Sequence, residues 1–136
     1  MAGTTTTTME QWIIADRGGQ AFALPLPKVL RVTTAPRILE VPLVPKGFVG
    51  VMDFEGAAVP VWDPFPEAAD AMWGATVIVA DTAGGRVGFL SDAPPRVQPA
   101  ALADVAPADI PAGKMWVGGI RLGGADVPVL DPVCFG

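Results

Sequence analysis

Val79-Ala80-Asp81-Thr82-Ala83-Gly84 resembles the active-site turn of aspartic proteases, in which two Asp carboxylates share one proton. One copy supplies one carboxylate, so such an enzyme would have to be a homodimer. The matching turn in the first half, Asp16, continues as Arg17-Gly18-Gly19, without the Thr-Gly that the chemistry requires. A dimeric aspartic-protease-like hydrolase therefore stands as a distant alternative. Asp63 and Asp131 each precede a proline and could be paired for acid–base work, but Asp-Pro is also a common strand-ending turn. Gly18-Gly19, Gly84-Gly85 and Gly123-Gly124 lack the lysine and the strand-to-helix setting of a phosphate loop, and read as hairpin turns. The chain has no histidine, and Cys134 is its one cysteine. No disulfide can close within the chain, His/Cys metal sites lack ligands, and nothing is at hand to activate the thiol. The expectation is no enzyme, with no catalytic residue, metal or cofactor.

What must position any other site is an internal repeat. GVMDFEGAAVPVWDP (Gly50 to Pro64) returns as GGIRLGGADVPVLDP (Gly118 to Pro132), with eight of fifteen positions identical at an offset of 68 residues, half the chain. Upstream of each copy lies an apolar run, an Ala-Asp, a Gly-Gly turn and a second apolar run: Trp12 to Leu24 and Val77 to Leu90. The pattern is hairpin, linker, hairpin, performed twice, and predicts a pseudo-symmetric pair of lobes. Each lobe alone would be marginal in size, so the two are expected to share a core across their junction.

Composition agrees. Apolar residues make up 51% and charged residues 17%, against about 25% charged in an average globular protein. The 16 glycines and 15 prolines disfavour helix and mark turns and strand edges, so the chain reads as all-β. A net charge of −5 with scattered basic residues offers no stripe for a phosphate backbone, which argues against nucleic acid as a partner. No apolar run is long enough to span a membrane and the N-terminus has no signal-peptide pattern, so a soluble, cytoplasmic protein is expected.

Residues 1–9, rich in threonine, read as a disordered tail, and 10–136 as one domain. Lys28 to Thr33 and Arg96 to Pro99 add extended segments to the four hairpins, giving about five strands per lobe. Thr34 to Gly47 and Ala93 to Lys114 are proline-rich connections. Pro66 to Trp73 is the best helical stretch, a short one bridging the lobes. Trp12, Trp62 and Trp116 read as core, and Trp73 as open to a partner.

Taken in order, F-A-L-P-L-x-x-V-x-x-V (Phe22 to Val32), Gly50 to Asp63, V-I-V-A-D-x-x-G-G-R-V-G-F-L-S-D (Val77 to Asp92) and Gly118 to Asp131 resemble the CheW family of chemotaxis adaptors over about residues 10–132. The resemblance implies two intertwined, five-stranded, SH3-like β-barrels. It also implies a scaffold that couples methyl-accepting chemoreceptor cytoplasmic tips to the regulatory domain of a CheA-type histidine kinase. Carried over by position, Val29, Arg31, Val32, Gly50, Asp53, Phe54, Glu55 and Gly88 would line the receptor side, and the barrel ends would meet the kinase. Two departures accompany the resemblance. The family usually has Glu at the position of Arg31 and Arg at that of Glu55, so both charges are inverted. If they approach each other they form a reversed ion pair selecting a cognate receptor; otherwise they are separate surface charges. The chain also stops at Gly136 without the family's usual C-terminal helix, which keeps open a regulatory or decoy module binding only the kinase or only the receptor.

Overall fold

The structure is a computed structural model that describes residues 10–34, 37–40, 48–65, 76–82, 85–103, 116–122 and 124–130. The threonine tail, the helix expected over Pro66 to Trp73, Asp131, Cys134 and the rest of the C-terminus lie outside the described residues, as do Ala83, Gly84 and Gly123.

Twelve strands are described: β1 (Glu10–Arg17), β2 (Gln20–Pro25), β3 (Val29–Thr34), β4 (Ile38–Leu39), β5 (Phe48–Phe54), β6 (Ala57–Trp62), β7 (Thr76–Thr82), β8 (Gly85–Ser91), β9 (Arg96–Ala100), β10 (Leu102–Ala103), β11 (Trp116–Leu122) and β12 (Ala125–Leu130). A single 3-10 turn, Leu26–Lys28, follows the Pro25 bend. The β1–β2 and β5–β6 turns form where the sequence places them, at Gly18-Gly19 and Glu55-Gly56. Gly18 and Gly19 have φ of 62° and 81°, as the tight turn between β1 and β2 requires.

The strands form two six-stranded sheets with matching order, β10-β11-β12-β2-β1-β9 and β3-β7-β8-β6-β5-β4. Under the repeat, β9 corresponds to β3, β1 to β7, β2 to β8 and β12 to β6. Even the parallel contacts match, Val129 beside Ala23 in one sheet and Val61 beside Gly88 in the other. Both copies of the long hairpin carry a bulge at the same place, between Phe48 and Gly50 and between Trp116 and Gly118. Neither sheet is built from one half of the sequence. The hairpin β1–β2 leaves its own half to join β9–β12, and β7–β8 crosses the other way to join β3–β6.

The strand count needs one correction. Each sheet gains a two-residue strand, β4 or β10, inside a segment expected to be only a connection. Ile38 and Leu39 stand far enough from the neighbouring prolines to pair with Met52 and Val51.

The exchange explains why the four exchanged strands read as continuous apolar runs rather than alternating ones, because each is covered on both faces. One face of β1 and β2 (Trp12, Ile14, Ala23) fills the first sheet with Ile120, Val127 and Val129. The corresponding face of β7 and β8 (Val77, Val79, Leu90) fills the second with Met52, Phe54, Val59 and Val61. Their other faces meet each other: Ile13, Ala15, Phe22 and Leu24 pack against Ile78, Ala80, Val87 and Phe89, joined by Phe65, Trp116 and Leu130. Burying each large side chain here is worth about 1.5–3 kcal/mol, so the junction is a third core and not a seam. Trp12 and Trp116 are buried, with Trp12 Nε1 donating to the Ala100 carbonyl at 2.8 Å, while Trp62 is half-buried.

An ion-pair latch closes one end of the junction. Arg17, 2% exposed at the end of β1, donates from Nε and a terminal nitrogen to both carboxylate oxygens of Asp63, at 3.1 and 2.8 Å. Its other terminal nitrogen donates to Asp92 at 2.8 Å. The backbone N–H of Gly18 donates to the second Asp92 oxygen, and Asp92 N–H to the Asp16 carbonyl. Asp63 does end its strand as the Asp-Pro reading holds, since its Oδ1 also accepts from the Phe65 N–H at 3.0 Å.

Candidate functional site

Among the described strands β3 is an edge of the second sheet, paired only with β7, and it leaves more apolar surface open than β7 does. A bulge between Val29 and Arg31 leaves Leu30 without a register partner and 42% exposed. Val29 packs against the shared core. Val32 sits opposite Ile78, a residue of the shared core, and therefore faces the junction with 36% of its surface open. Arg31 sits opposite Val79, whose side chain fills the second sheet, so Arg31 lies on the other face of the strand.

On that face Arg31 reaches the rim of the barrel-like second sheet. Its guanidinium carbon lies 6.0 Å from the centre of the Phe54 ring, and that of Arg86 on β8 lies 5.4 Å from the same ring. Phe54 is buried, at the end of β5, and the two cations cover what its neighbours leave open. Glu55 follows in the turn, and Arg86 donates to it at 3.4 Å with both side chains about half exposed. A pair so exposed contributes about 0.2–1 kcal/mol.

Of the two readings of the inverted charges, the reversed pair does not form. Among the described residues Glu55 is partnered by Arg86, and Arg31 makes no ion pair. The reason is topological: β8 runs between β7 and β6 in the sheet and brings Arg86 to the β5–β6 turn, while β3 lies beyond β7.

The remaining expected residues separate into two kinds. Asp53 points away from Phe54, into a groove of about 550 Å³ lined by Ile38, Leu39 and Val51. Gly50 and Gly88 are buried, and each stands where a neighbouring strand comes close, through backbone at Gly50 and through side chains at Gly88. A Cβ at Gly88 would stand 2.6 Å from Val77 Cγ1, and one at Gly50 would run into the Leu39 carbonyl oxygen. Both are packing positions within the second sheet.

Glycine packing of this kind yields a discriminating prediction. Gly88→Ala and Gly50→Ala should each cost about 1–3 kcal/mol of stability as overpacked substitutions. Adding Val77→Ala should recover much of the Gly88→Ala loss, because the obstacle is a side chain. Adding Ile38→Ala should recover little of the Gly50→Ala loss, because the obstacle there is backbone. Denaturant melts of the four variants check this, and equal rescue at both sites would contradict it.

The turn that resembled a protease motif is used otherwise. Asp81 pairs in register with Arg86 across the β7–β8 hairpin, and the Thr82 hydroxyl donates to the Gly85 carbonyl. Asp63 is committed to Arg17 and to the Phe65 N–H. No group of His, Cys, Asp and Glu suited to a metal ion occurs among the described residues, and no helix there is long and apolar enough to cross a membrane.

The family model for the CheW-like domain matches residues 11–133. This chain belongs to the CheW-like domain family. In fold it is similar to the crystal structure of the scaffolding protein TtCheW from Thermoanaerobacter tengcongensis, with a TM-score of 0.78, 15% sequence identity, and 90% of this chain and 89% of that one covered. No curated protein sequence gives a significant match. At that identity the likeness shows the CheW fold of two barrel-like halves, and the family membership makes this chain one of the chemotaxis adaptor family.

In this CheW-like domain two arginines stand out only in the structure. Arg17 was a turn residue beside two glycines, and Arg86 was one residue in a resemblance string. For Arg17 a signal existed: position 82 of the second repeat holds Thr, so an arginine stands where the repeat does not require one.

Proposed function

We propose that this CheW-like chain is a cytoplasmic, non-enzymatic adaptor that couples the signalling tip of a methyl-accepting chemoreceptor to a CheA-type histidine kinase. The observation that carries the proposal is the family match over residues 11–133, with a fold similar to a scaffolding protein over nine-tenths of the chain. The exposed edge of the second sheet supports it. Val29 and Val32 face the junction and Leu30 is exposed between them, while Arg31 and Glu55 offer charge at the rim beside the buried Phe54 ring. A receptor helix laid along an edge strand can reach both faces at once, which a central strand would not allow.

The mechanism is geometric. Apolar receptor side chains bury against β3, the barrel ends bury kinase surface, and kinase output follows whichever arrangement the joint contacts favour, since a partner shifts an equilibrium only by its differential affinity for the two states.

Co-sedimentation of the purified chain with a receptor tip and a CheA kinase from the same organism tests this reading. A three-part complex with altered kinase activity is the expected result. Binding to one component alone would replace the adaptor with a one-partner module, and binding to neither would remove the function while leaving the fold.

A further inference from the structure

The rim of the second sheet carries more positive charge than its own contacts use. Two guanidiniums stand over the ring of Phe54, at 6.0 and 5.4 Å, and a single carboxylate, Glu55, serves them from 3.4 Å on the Arg86 side. Arg31 makes no ion pair among the described residues. Asp81, opposite Arg86 across the β7–β8 hairpin, is a second acid on this face but forms no ion pair with either arginine among the described residues, so Arg31 is the guanidinium left without a carboxylate.

Glu55 adds a second observation. It is the one non-glycine residue with positive φ among the described residues, at 52°, next to Gly56 at 83°. A tight turn of this form takes Gly, Asn or Asp at both central positions without strain, and Glu is disfavoured there. The local conformation works against Glu at this position, and what Glu supplies is the negative charge facing Arg86. A strained residue whose charge sits at a cluster points to a role in that cluster.

We propose that Arg31 and Arg86 form a carboxylate-reading site over Phe54, occupied by an acidic side chain of the partner helix whose apolar side chains lie on Leu30 and Val32. Glu55 is the internal competitor that holds Arg86 while the partner is absent. The inference rests on the adaptor reading, which makes the partner a receptor tip, and deepens it by naming the chemistry that selects that tip. Guanidinium suits this task because it is planar and weakly hydrated. One face can lie on an aromatic ring while the edge N–H groups take a carboxylate two at a time. Leu30 at 42% and Val32 at 36% exposure supply the apolar surface beside the charge.

The test is titration calorimetry of the full chain against the signalling-tip hairpin of a chemoreceptor from the same organism, at low and high salt. The variants are Arg31→Gln, Arg86→Gln and Glu55→Gln in the chain, and each acidic residue of the tip changed to Gln in turn. Arg31→Gln should weaken binding about tenfold and flatten its salt dependence. Glu55→Gln should strengthen binding. One tip substitution should reproduce the Arg31→Gln loss and add nothing further to it. Both arginines are exposed and their ring and ion-pair contacts are weak at such exposure, so thermal melts of their variants should stay within a few degrees of the parent chain. If the parent chain binds the tip and both arginine variants bind as well as it does, the carboxylate site is overturned while the adaptor reading stands. If Glu55→Gln weakens binding as much as Arg31→Gln, Glu55 is the recognition residue and the proposal is wrong. If the parent chain binds no tip, the adaptor reading falls and this inference with it.

Discussion

Arg17→Ala is expected to lower the free energy of unfolding by about 3–5 kcal/mol, the usual cost of removing one partner from a buried ion pair. For a domain of this size that corresponds to a fall in Tm of roughly 10–20 °C. Arg17 is 2% exposed and contacts both oxygens of Asp63, whose side chain is 10% exposed. Truncation would leave that carboxylate buried with, among the described residues, only the Phe65 N–H to serve it. Arg17→Lys should recover little, because an ammonium cannot reproduce the two-pronged contact to Asp63 and the third bond to Asp92. Replacing both partners, Arg17→Met with Asp63→Leu, should be far milder than either single loss, since no charge is then stranded. Calorimetric melts decide the matter. If Arg17→Ala melts like a surface substitution, the latch contributes nothing and the apolar junction alone holds the halves.

The pH dependence has a definite sign. Hydrogen bonding to Asp63, opposed by burial and aided by Asp92, raises the Arg17 guanidinium above its already high ordinary value. A raised pKa contributes stability below the unfolded value, lost only as pH climbs through the folded one. Arg17 therefore stays charged, and its share of the latch undiminished, from neutrality through the alkaline range below the ordinary arginine value.

Phe65→Ala should cost a similar amount, about 3–5 kcal/mol, through the cavity it opens in the shared core. The ring packs edge-on to Phe22 at 6.0 Å and tilted against Trp116 at 5.4 Å, and it is 7% exposed. It belongs to neither sheet's strands and fills space between them, so no neighbouring strand can close over the void without moving a whole sheet. Phe65→Leu should retain most of the stability. Because Asp63 accepts from the Phe65 N–H, the latch and the plug share one turn, and the Arg17→Ala and Phe65→Ala losses should fail to add. Additive losses in a double-mutant cycle would show that the two act independently.

Both predictions concern contacts between segments far apart in the chain, and this is the boundary of what could be read in advance. The hairpins, their glycine turns, the all-β class and the repeat were legible because each depends on local periodicity and turn chemistry. The candidate receptor-side residues follow from family resemblance alone, and their placement was not legible in advance: Gly50 and Gly88 are buried, Asp53 faces a separate groove, and Arg31 does not meet Glu55. Strand alternation gives the face of each residue, but not which strand lies next door.

The sequence by itself determined that this chain makes two equivalent sets of hairpins with too little surface charge to stand apart. Only the tertiary structure decided that the hairpins change places, so that β1–β2 completes the sheet of the second half and β7–β8 that of the first. The physical reason is that the two halves carry nearly the same pattern, and a hairpin fits the sheet of either half equally well by periodicity. The choice rests on long-range packing: a core shared by both sheets, and a buried arginine with no counterpart in the second repeat.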